Sequence, residues 1–304
     1  MFVLMQEREQ RFQTRRPYRF LKQKSTDIPF PLSTTSALVL LWSGADVYRS
    51  PIVREYWKQL DLSAGRALFD RCNEVWPHYS QVIQNRKWLL DQWSDEILNS
   101  GEIAQTVILA AGLAPLGLDL AARFPRCRVF DVDMSLMPEK AQLVAGIHNA
   151  PTNLHFVTAD ITDRAACKAA LVQAGWQPEQ ATLLIIEGIS YYISRAQLID
   201  LHDMVAPGSQ VLLEYMVPEA EILAERRHIP REIFQTIVEH CGVRTPIEVW
   251  NLAELAARMP GKILRHVTMR DIERLRHPER QKNICTFPTA DSGWIEIANI
   301  QRLD

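Results

Sequence analysis

The chain has 304 residues, of which 47% are hydrophobic and 23% charged. Both fractions are those of ordinary globular proteins, which excludes a disordered, collagen-like or membrane-bundle chain. Lys and Arg number 34 against 36 Asp and Glu, so the formal net charge is −2, and we expect a small-molecule partner rather than nucleic acid. The length allows two domains, or one α/β domain with a helical part attached.

Cysteine usage and the first residues predict a cytoplasmic protein without a metal site. The five cysteines are odd in number and far apart, with no C-x-x-C pair, which is typical of a reducing compartment. At the N-terminus the apolar residues precede the basic ones, the reverse of the order in a signal peptide. The most apolar run, residues 107–118, is shorter than the roughly 20 residues of a membrane-spanning helix. We therefore expect no membrane partner.

Residues 1–100 are predicted to form a basic arm followed by a helical cap. The first 30 residues carry seven Lys or Arg against three acidic residues. Such an arm could bind a polyanion or lie solvated over the domain. From about residue 36 to residue 98 the apolar residues recur at helical spacing and show no strand-like alternation.

After residue 100 the pattern changes to short apolar runs that alternate with helical stretches, which predicts a doubly wound α/β domain. Such an alternation requires right-handed crossovers and a mostly parallel sheet covered on both faces. The predicted strands are residues 106–111, 127–132, 154–158, 182–186 and 210–215, and the predicted helices are residues 116–124, 136–148, 164–174 and 195–205.

The C-terminal part is predicted to contain a helical insertion, at about residues 218–262, before the last strands. Helical segments are expected at residues 219–227 and 231–240, and a short helix starts at Asn251 with Glu254 as its capping-box partner. Strand-like runs follow at residues 263–269 and 293–297. Residues 101–304 are thus predicted to form one domain.

Four predicted strand ends carry small or acidic residues. Ligands of doubly wound sheets bind beyond the carboxyl ends of the strands. Gly112 lets the backbone approach a ligand closely, and Asp133 lies about 20 residues further on, where a carboxylate can hold a ribose diol. Asp160 and Glu187 end the next two strands. Together these residues predict an adenosine-type cofactor pocket.

The same residues also have structural interpretations. Gly112 could be an ordinary turn residue, Asp133 could cap the helix that follows it, and Asp160 precedes Thr162-Asp163, an equally good cap. Glu187 is harder to explain in this way because it follows an apolar run buried on both faces. A carboxylate at the end of such a strand is costly unless it is paired or solvated.

Five motifs between about residues 80 and 217 extend the pattern. In chain order they are Arg86 with Asp91, the run LAAGLAPL at residues 109–116, Asp131-Val132-Asp133 with Lys140, Asp160-Ile161, and Glu187-Gly188 followed by ISYYI. The set resembles the leucine carboxyl methyltransferase-like family of class I S-adenosylmethionine-dependent methyltransferases. The resemblance implies a Rossmann-like methyltransferase fold and S-adenosylmethionine as the cofactor.

The resemblance also implies a role for each motif residue toward the cofactor. A guanidinium offers a fork of donors that suits the cofactor carboxylate, and a glutamate suits its ammonium group. The implied cofactor-binding set is Arg86 for the carboxylate, Glu187 with Gly188 for the ammonium, Asp133 assisted by Asp131 for the ribose, Asp160 with Ile161 for the adenine, and Ala110 and Gly112 in the loop along the cofactor.

The loop at residues 109–116 departs from the family pattern. The first glycine of that pattern is Ala110, and its Asp-Thr-Arg is Ala114-Pro115-Leu116. One added methyl group is compatible with a cofactor that has no pyrophosphate for backbone N–H groups to grip. Loss of the Asp and the Arg removes contacts on the substrate side.

The chemistry of the cofactor predicts O-methylation of a small molecule at a carboxylate, or at a hydroxyl. A sulfonium methyl is already activated, so catalysis consists mainly of holding the acceptor oxygen in line with the S–CH3 bond. A carboxylate with a pKa near 4 is ionised at neutral pH and needs no base. A hydroxyl acceptor would benefit from a base, which His78 or His228 could supply, although solvated helix faces explain both histidines better.

Aromatic residues at the strand ends are candidates for the acceptor pocket. We expect Tyr191, Tyr192 and Tyr215 to line it, although aromatic packing under the helical cap explains them equally well. Arg195 could pair with an acidic acceptor or simply begin a helix.

Three other classes of protein were weighed. A nicotinamide dehydrogenase needs G-x-G-x-x-G, and only Gly112 and Gly117 occur here. A serine hydrolase needs G-x-S-x-G, and position 192 is Tyr192 rather than glycine. The altered loop leaves a third class open, a methyltransferase-like binding or scaffold subunit that has lost turnover.

Overall fold

The computed structural model describes residues 30–241, 247–280 and 286–303, so the predicted basic arm lies outside the described residues. The strands are β1 (Phe30–Pro31), β2 (Leu60–Asp61), β3 (Gln105–Leu109), β4 (Arg128–Asp133), β5 (Leu154–Thr158), β6 (Leu183–Ile186), β7 (Gln210–Met216), β8 (Lys262–Thr268) and β9 (Ile295–Gln301).

The α-helices lie between these strands and before them, and are numbered here in chain order. They are α1 (Thr34–Ser43), α2 (Ile52–Lys58), α3 (Arg66–Val75), α4 (Tyr79–Asn99), α5 (Leu116–Arg123), α6 (Met137–Ala145), α7 (Arg164–Gln173), α8 (Arg195–His202), α9 (His228–Cys241), α10 (Leu252–Arg258) and α11 (Met269–Arg276).

Strands β3 to β9 form one seven-stranded sheet in the order β5, β4, β3, β6, β7, β9, β8. The first five are parallel to one another, and β9 is antiparallel to both of its neighbours. The order reverses between β3 and β6, which creates a crevice at the carboxyl ends of these strands. The predicted doubly wound, mostly parallel sheet is confirmed.

The ends of several elements differ from the prediction for local reasons. Strand β3 stops at Leu109 because Ala110 adopts a left-handed backbone with φ 51°. Strand β9 continues to Gln301, past the apolar run, because it pairs along the whole of β7. The helix predicted at residues 219–227 is two short 3₁₀ turns, since the backbone N–H of Leu223 donates to Asp291.

The regions flanking the sheet are helical, as expected, with two differences. The two-residue strands β1 and β2 pair in parallel outside the main sheet, in a region where no strand was predicted. Asn251 caps α10 by accepting from the backbone N–H of Glu254, but the carboxylate of Glu254 pairs with Arg195 instead of completing a capping box. Each helix in the described part of the chain is too short or too polar to cross a bilayer.

Candidate active site

A cavity of about 340 Å³ lies at the carboxyl ends of β3, β4 and β6, where the strand order reverses. This volume falls within the range of ligand pockets in proteins. Strand-tip residues line one side of the cavity, and residues from α1, α4 and α9 line the other. We call it the strand-tip cavity.

The loop after β3 forms the floor of the strand-tip cavity in a conformation that favours glycine. Gly112 has φ 49°, and a Cβ atom added there would approach nothing closer than 3.9 Å, so the backbone angle rather than space requires glycine. Ala110 adopts φ 51° with a side chain present, a conformation that costs about 1–2 kcal/mol. The loop therefore keeps its shape even though the first glycine of the family pattern is absent.

Asp133 lines the strand-tip cavity at the end of β4. Its carboxylate accepts hydrogen bonds from the backbone N–H of Gly112 at 3.0 Å and of Ser135 at 3.1 Å. A carboxylate has about four acceptor sites, so both oxygens retain capacity for hydroxyl donors. Asp133 thus orders the loop and faces the cavity at the same time.

Asp160 and Ile161 lie outside the residues that line the strand-tip cavity. Asp160 is exposed and accepts from the backbone N–H and the hydroxyl of Thr162, at 2.9 and 2.7 Å. The cap of α7 is Asp163, which agrees with the interpretation of Thr162-Asp163 as a helix cap. The proposed contact of these residues with an adenine stays a prediction.

A group of four buried charged residues stands beside the cavity, and we call it the cavity cluster. Arg86 donates from Nε to Glu187 at 2.8 Å and from Nη1 to Glu214 at 3.1 Å. Lys87 donates to the same Glu187 oxygen at 2.9 Å. Glu214 also accepts from the backbone N–H of Gly188. Two positive and two negative charges thus neutralise one another at the ends of β6 and β7.

The electrostatics of the cavity cluster keep Glu187 ionised. Burial alone would raise the pKa of Glu187, but Lys87 and Arg86 outweigh it and hold the pKa below its usual value. Burial raises the pKa of Glu214, and Arg86 opposes that rise. Buried ion pairs contribute little net stability, so such a concentration of charge at a cavity wall points to ligand binding.

Lys87 and Glu214 are members of this cluster that the sequence analysis missed. Lys87 follows Arg86 directly on α4, and neighbouring residues of a helix usually point in different directions. Glu214 interrupts the apolar strand β7 just as Glu187 ends an apolar run. The reasoning that identified Glu187 could have identified Glu214 as well.

Asp131 lies outside the residues that line the strand-tip cavity, and its predicted assistance at the ribose stays a prediction. Its carboxylate is fully buried and pairs with Lys140 at 2.7 Å. It lies two residues before Asp133, which is about 6–7 Å further from the strand end. Helix α5 covers it there, and a Cβ atom at Gly117 would overlap the carboxylate.

Two of the three predicted tyrosines line the strand-tip cavity. Tyr191 and Tyr192 pack edge to face at 4.7 Å, and Tyr191 packs in the same way against Phe234 of α9 at 5.4 Å. Burial raises the pKa of Tyr191 well above its usual value, so its hydroxyl is a hydrogen-bond donor and not a base.

Tyr215 lies outside the residues that line the strand-tip cavity, so the structure does not group it with the other two tyrosines. Adjacent strand residues point to opposite faces of a sheet, so Tyr215 faces away from its neighbour Glu214. Its hydroxyl donates to Glu296 at 2.7 Å and lies 3.0 Å from Nε2 of His266.

The candidate bases and the candidate cation of the sequence analysis also lie elsewhere. His78 and His228 are exposed at the starts of α4 and α9, and no histidine of the described ranges lines the strand-tip cavity. Arg195 begins α8 and pairs with Glu248 at 3.5 Å and Glu254 at 3.3 Å. The helix-start interpretation of Arg195 is the one that the structure supports.

The wall opposite the strand tips is apolar and aromatic. It consists of side chains from α1, α4 and α9 that no sequence motif marks, because helical apolar spacing predicts burial but not which residues face a cavity. These side chains are Val39, Trp42, Tyr79, Ile83, Phe234 and Ile237. Among the residues that the structure describes, His, Cys, Asp and Glu form no group that could hold a metal ion.

The model of the leucine carboxyl methyltransferase family matches residues 44–206. This match spans more than half of the chain, so the chain belongs to that family. The resemblance seen in the motifs is confirmed.

Two curated bacterial relatives carry the provisional name of an S-adenosyl-L-methionine-dependent methyltransferase. The protein of Parafrankia sp. (strain EAN1pec) is 34% identical over 150 residues, 45% of this chain and 46% of that protein. The protein of Mycolicibacterium smegmatis is 30% identical over 182 residues, 58% of this chain and 54% of that protein. The chain thus matches about half the length of these relatives.

Two crystal structures share the fold. A DUF574 family protein from Streptomyces avermitilis aligns with a TM-score of 0.62 at 14% identity, covering 89% of this chain and 98% of that one. A protein from Thermobifida fusca aligns with a TM-score of 0.59 at 17% identity, covering 85% and 96%. At these identities the likeness establishes a common architecture.

Proposed function

We propose that this member of the leucine carboxyl methyltransferase family binds S-adenosylmethionine in the strand-tip cavity and transfers its methyl group to a carboxylate oxygen of a small molecule. The observation that carries the proposal is the cavity cluster. A zwitterionic amino-acid group needs a cation and an anion side by side, and Arg86 and Glu187 both line the cavity within 2.8 Å of each other.

The residues present fit this cofactor better than a dinucleotide. Arg86 uses Nε and Nη1 within the cluster, and its Nη2 donors remain for a carboxylate. A dinucleotide would instead place its pyrophosphate on the N–H groups at a helix N-terminus. The loop before α5 also lacks the G-x-G-x-x-G fingerprint of such a site.

The described side chains that line the strand-tip cavity include no histidine, and the proposal assigns their two carboxylates, Asp133 and Glu187, to the cofactor. When bound, the cofactor supplies an activated methyl group on its sulfonium. Tyr191 would donate a hydrogen bond from its hydroxyl to an oxygen of the acceptor and so orient the acceptor, since the raised pKa of Tyr191 keeps that hydroxyl neutral. The apolar wall from α1 and α9 would exclude water. An acceptor that is already anionic fits these conditions, and a neutral hydroxyl would lack a base.

Binding of S-adenosylhomocysteine tests the cofactor part of the proposal. Replacing Asp133 by Ala should weaken binding by about 1–3 kcal/mol, because hydroxyl donors lose a charged partner. Isothermal calorimetry measures the loss, and Asp46→Ala is the control, since the Asp46 side chain is 94% exposed. Absence of heat from wild-type protein at millimolar ligand would refute the proposal.

A binding subunit without turnover is a second candidate. The observation that favours it is the loop from Ala110 to Leu116, which has a strained alanine and lacks the Asp-Thr-Arg of the family. Tight binding of S-adenosylmethionine without methyl transfer to any of a broad set of carboxylic acids would support this alternative.

A further inference from the structure

The apolar wall of the strand-tip cavity limits the charge that an acceptor can carry. The charged side chains that line the cavity are Arg86, Lys87, Asp133 and Glu187, all on the strand tips or on α4. The lining residues of α1 and α9 are uncharged. A second charge in the body of an acceptor would therefore be buried without a partner, which is costly.

A second cavity of about 200 Å³, here called the outer cavity, lies near the end of β7. Apolar residues such as Met216, Val217 and Ile222 form most of its lining, and its charged residues are Glu219, Arg227 and Arg231. Its lining is thus compatible with the apolar part of a molecule.

Phe234 stands between the two cavities. Among the described residues only Phe234 lines both. It is 6% exposed and packs edge-on against Tyr191 and Tyr192. Ile237, three residues later on the same face of α9, lines only the strand-tip cavity. The Phe234 side chain therefore marks the end of the strand-tip cavity on this side.

We infer that Phe234 sets the length of the acceptor. The strand-tip cavity takes a carboxylic acid with one negative charge and a compact, uncharged apolar body, and the Phe234 side chain excludes longer chains from the outer cavity. This inference rests on the proposed function, because it takes the carboxylate end of the acceptor to lie near Tyr191. A smaller residue at position 234 joins the two cavities and admits longer acids.

Calorimetry with straight-chain carboxylic acids of four to twelve carbons tests the inference on protein saturated with S-adenosylhomocysteine. For the wild type, affinity should rise with chain length, reach a maximum at a short acid and then fall. For Phe234→Ala the maximum should move to longer acids, with the affinity ratio of the longest to the shortest acid rising at least tenfold. Phe234→Leu should move the maximum less.

Ile233→Ala is the matched control because Ile233 is fully buried on the same helix but lines neither cavity. It should keep the wild-type length profile. Retained binding of S-adenosylhomocysteine verifies that each variant is folded, and Phe234→Leu replaces Phe234→Ala should the latter fail this check.

The outcomes separate this inference from the proposed function. An unchanged length profile in the Phe234 variants overturns the inference, and so does absence of acid binding to protein that holds S-adenosylhomocysteine. Tighter binding of a peptide that ends in leucine than of compact acids also overturns it. Failure of S-adenosylhomocysteine to bind overturns the proposed function itself.

Discussion

Helix α4 contributes to two groups of paired charges that differ in their surroundings. The cavity cluster contains Arg86 and Lys87 and borders the strand-tip cavity. One to two turns further along α4, Asp91 and Asp95 belong to a second group, the interhelix cluster, which lines neither cavity. Its five members are Arg49, Asp91, Asp95, Asp119 and Arg123.

The interhelix cluster ties α4 to α5 and to the segment after α1. Asp119 of α5 accepts from Arg123 at 2.8 Å and from the backbone N–H groups of Arg49 and Ser50 at 3.0 and 2.6 Å. Arg49 reaches Asp91 at 2.7 Å. Its charges therefore hold elements together, whereas Arg86, Lys87 and Glu187 of the cavity cluster line the strand-tip cavity. Of the two residues in the first family motif, Arg86 thus belongs to the cavity cluster and Asp91 to the interhelix cluster.

The largest expected effect is on the stability that the interhelix cluster provides. Asp119→Ala removes a fully buried carboxylate and leaves the backbone N–H groups of Arg49 and Ser50 without their acceptor, while Arg123 keeps Asp91 and Asp95 as partners. Each donor left unsatisfied costs about 1–3 kcal/mol, measured by urea unfolding. S-adenosylhomocysteine affinity of the folded variant should stay at the wild-type value.

An exposed ion pair serves as the control for this experiment. Arg54 and Asp46 lie 3.7 Å apart with side chains 72% and 94% exposed. Arg54→Ala should change the free energy of unfolding by less than about 1 kcal/mol. A loss of cofactor affinity in Asp119→Ala with unchanged stability would contradict the assignment of a structural role to the interhelix cluster and a ligand-binding role to the cavity cluster.

The next effect in size concerns ligand affinity at the cavity cluster. Arg86→Met and Glu187→Gln should each weaken S-adenosylmethionine by about 1.5–3 kcal/mol, the value of hydrogen bonds to charged groups. Binding of plain adenosine should not change, because it lacks the amino-acid group. Calorimetry with both ligands gives the comparison.

Two further variants sharpen this prediction. Glu214 does not line the strand-tip cavity but holds Arg86, so Glu214→Gln should give a smaller loss of the same kind. Arg71→Met is the matched control, since the Arg71 side chain is 49% exposed in a surface ion pair. Equal losses for S-adenosylmethionine and adenosine would mean that the cavity cluster is structural.

The contrast between the clusters also explains what the sequence could predict. The spacing of the apolar residues and the positions of turn residues were sufficient to predict the sheet, because each parallel strand is a separate short apolar run. A residue at the predicted end of a parallel strand, such as Asp133 or Glu187, must lie at the edge of the sheet where ligands bind. The local sequence was therefore sufficient to predict that these residues line a cavity. Asp131 shares the strand and face of Asp133, and only the packing of α5 onto β4 determines that it is covered.

Contacts between segments that are far apart in the chain could not be predicted from the sequence. Phe234 reaches the strand-tip cavity through the docking of α9, about 40 residues after the Tyr191 that it contacts. Glu214 meets Arg86 across 128 residues. Such pairings depend on the tertiary arrangement, and no local spacing encodes them.

The smallest expected effect is the pH dependence of the chemical step. Glu187 has a lowered pKa, so its contribution is fully present above the ordinary glutamate pKa and is lost only as the pH falls through the lowered value. The raised pKa of Tyr191 keeps that residue neutral.

With a carboxylate acceptor of pKa about 4, the single-turnover rate should level off above that value and show no ionisation near pH 6.5, where a histidine base titrates. Rates measured across neutral pH test this. A step near pH 6.5 that disappears in His78→Gln or His228→Gln would instead indicate base-assisted methylation of a hydroxyl. Both histidines are exposed and neither lines the strand-tip cavity. That outcome would therefore require a movement of α4 or α9 toward the cavity.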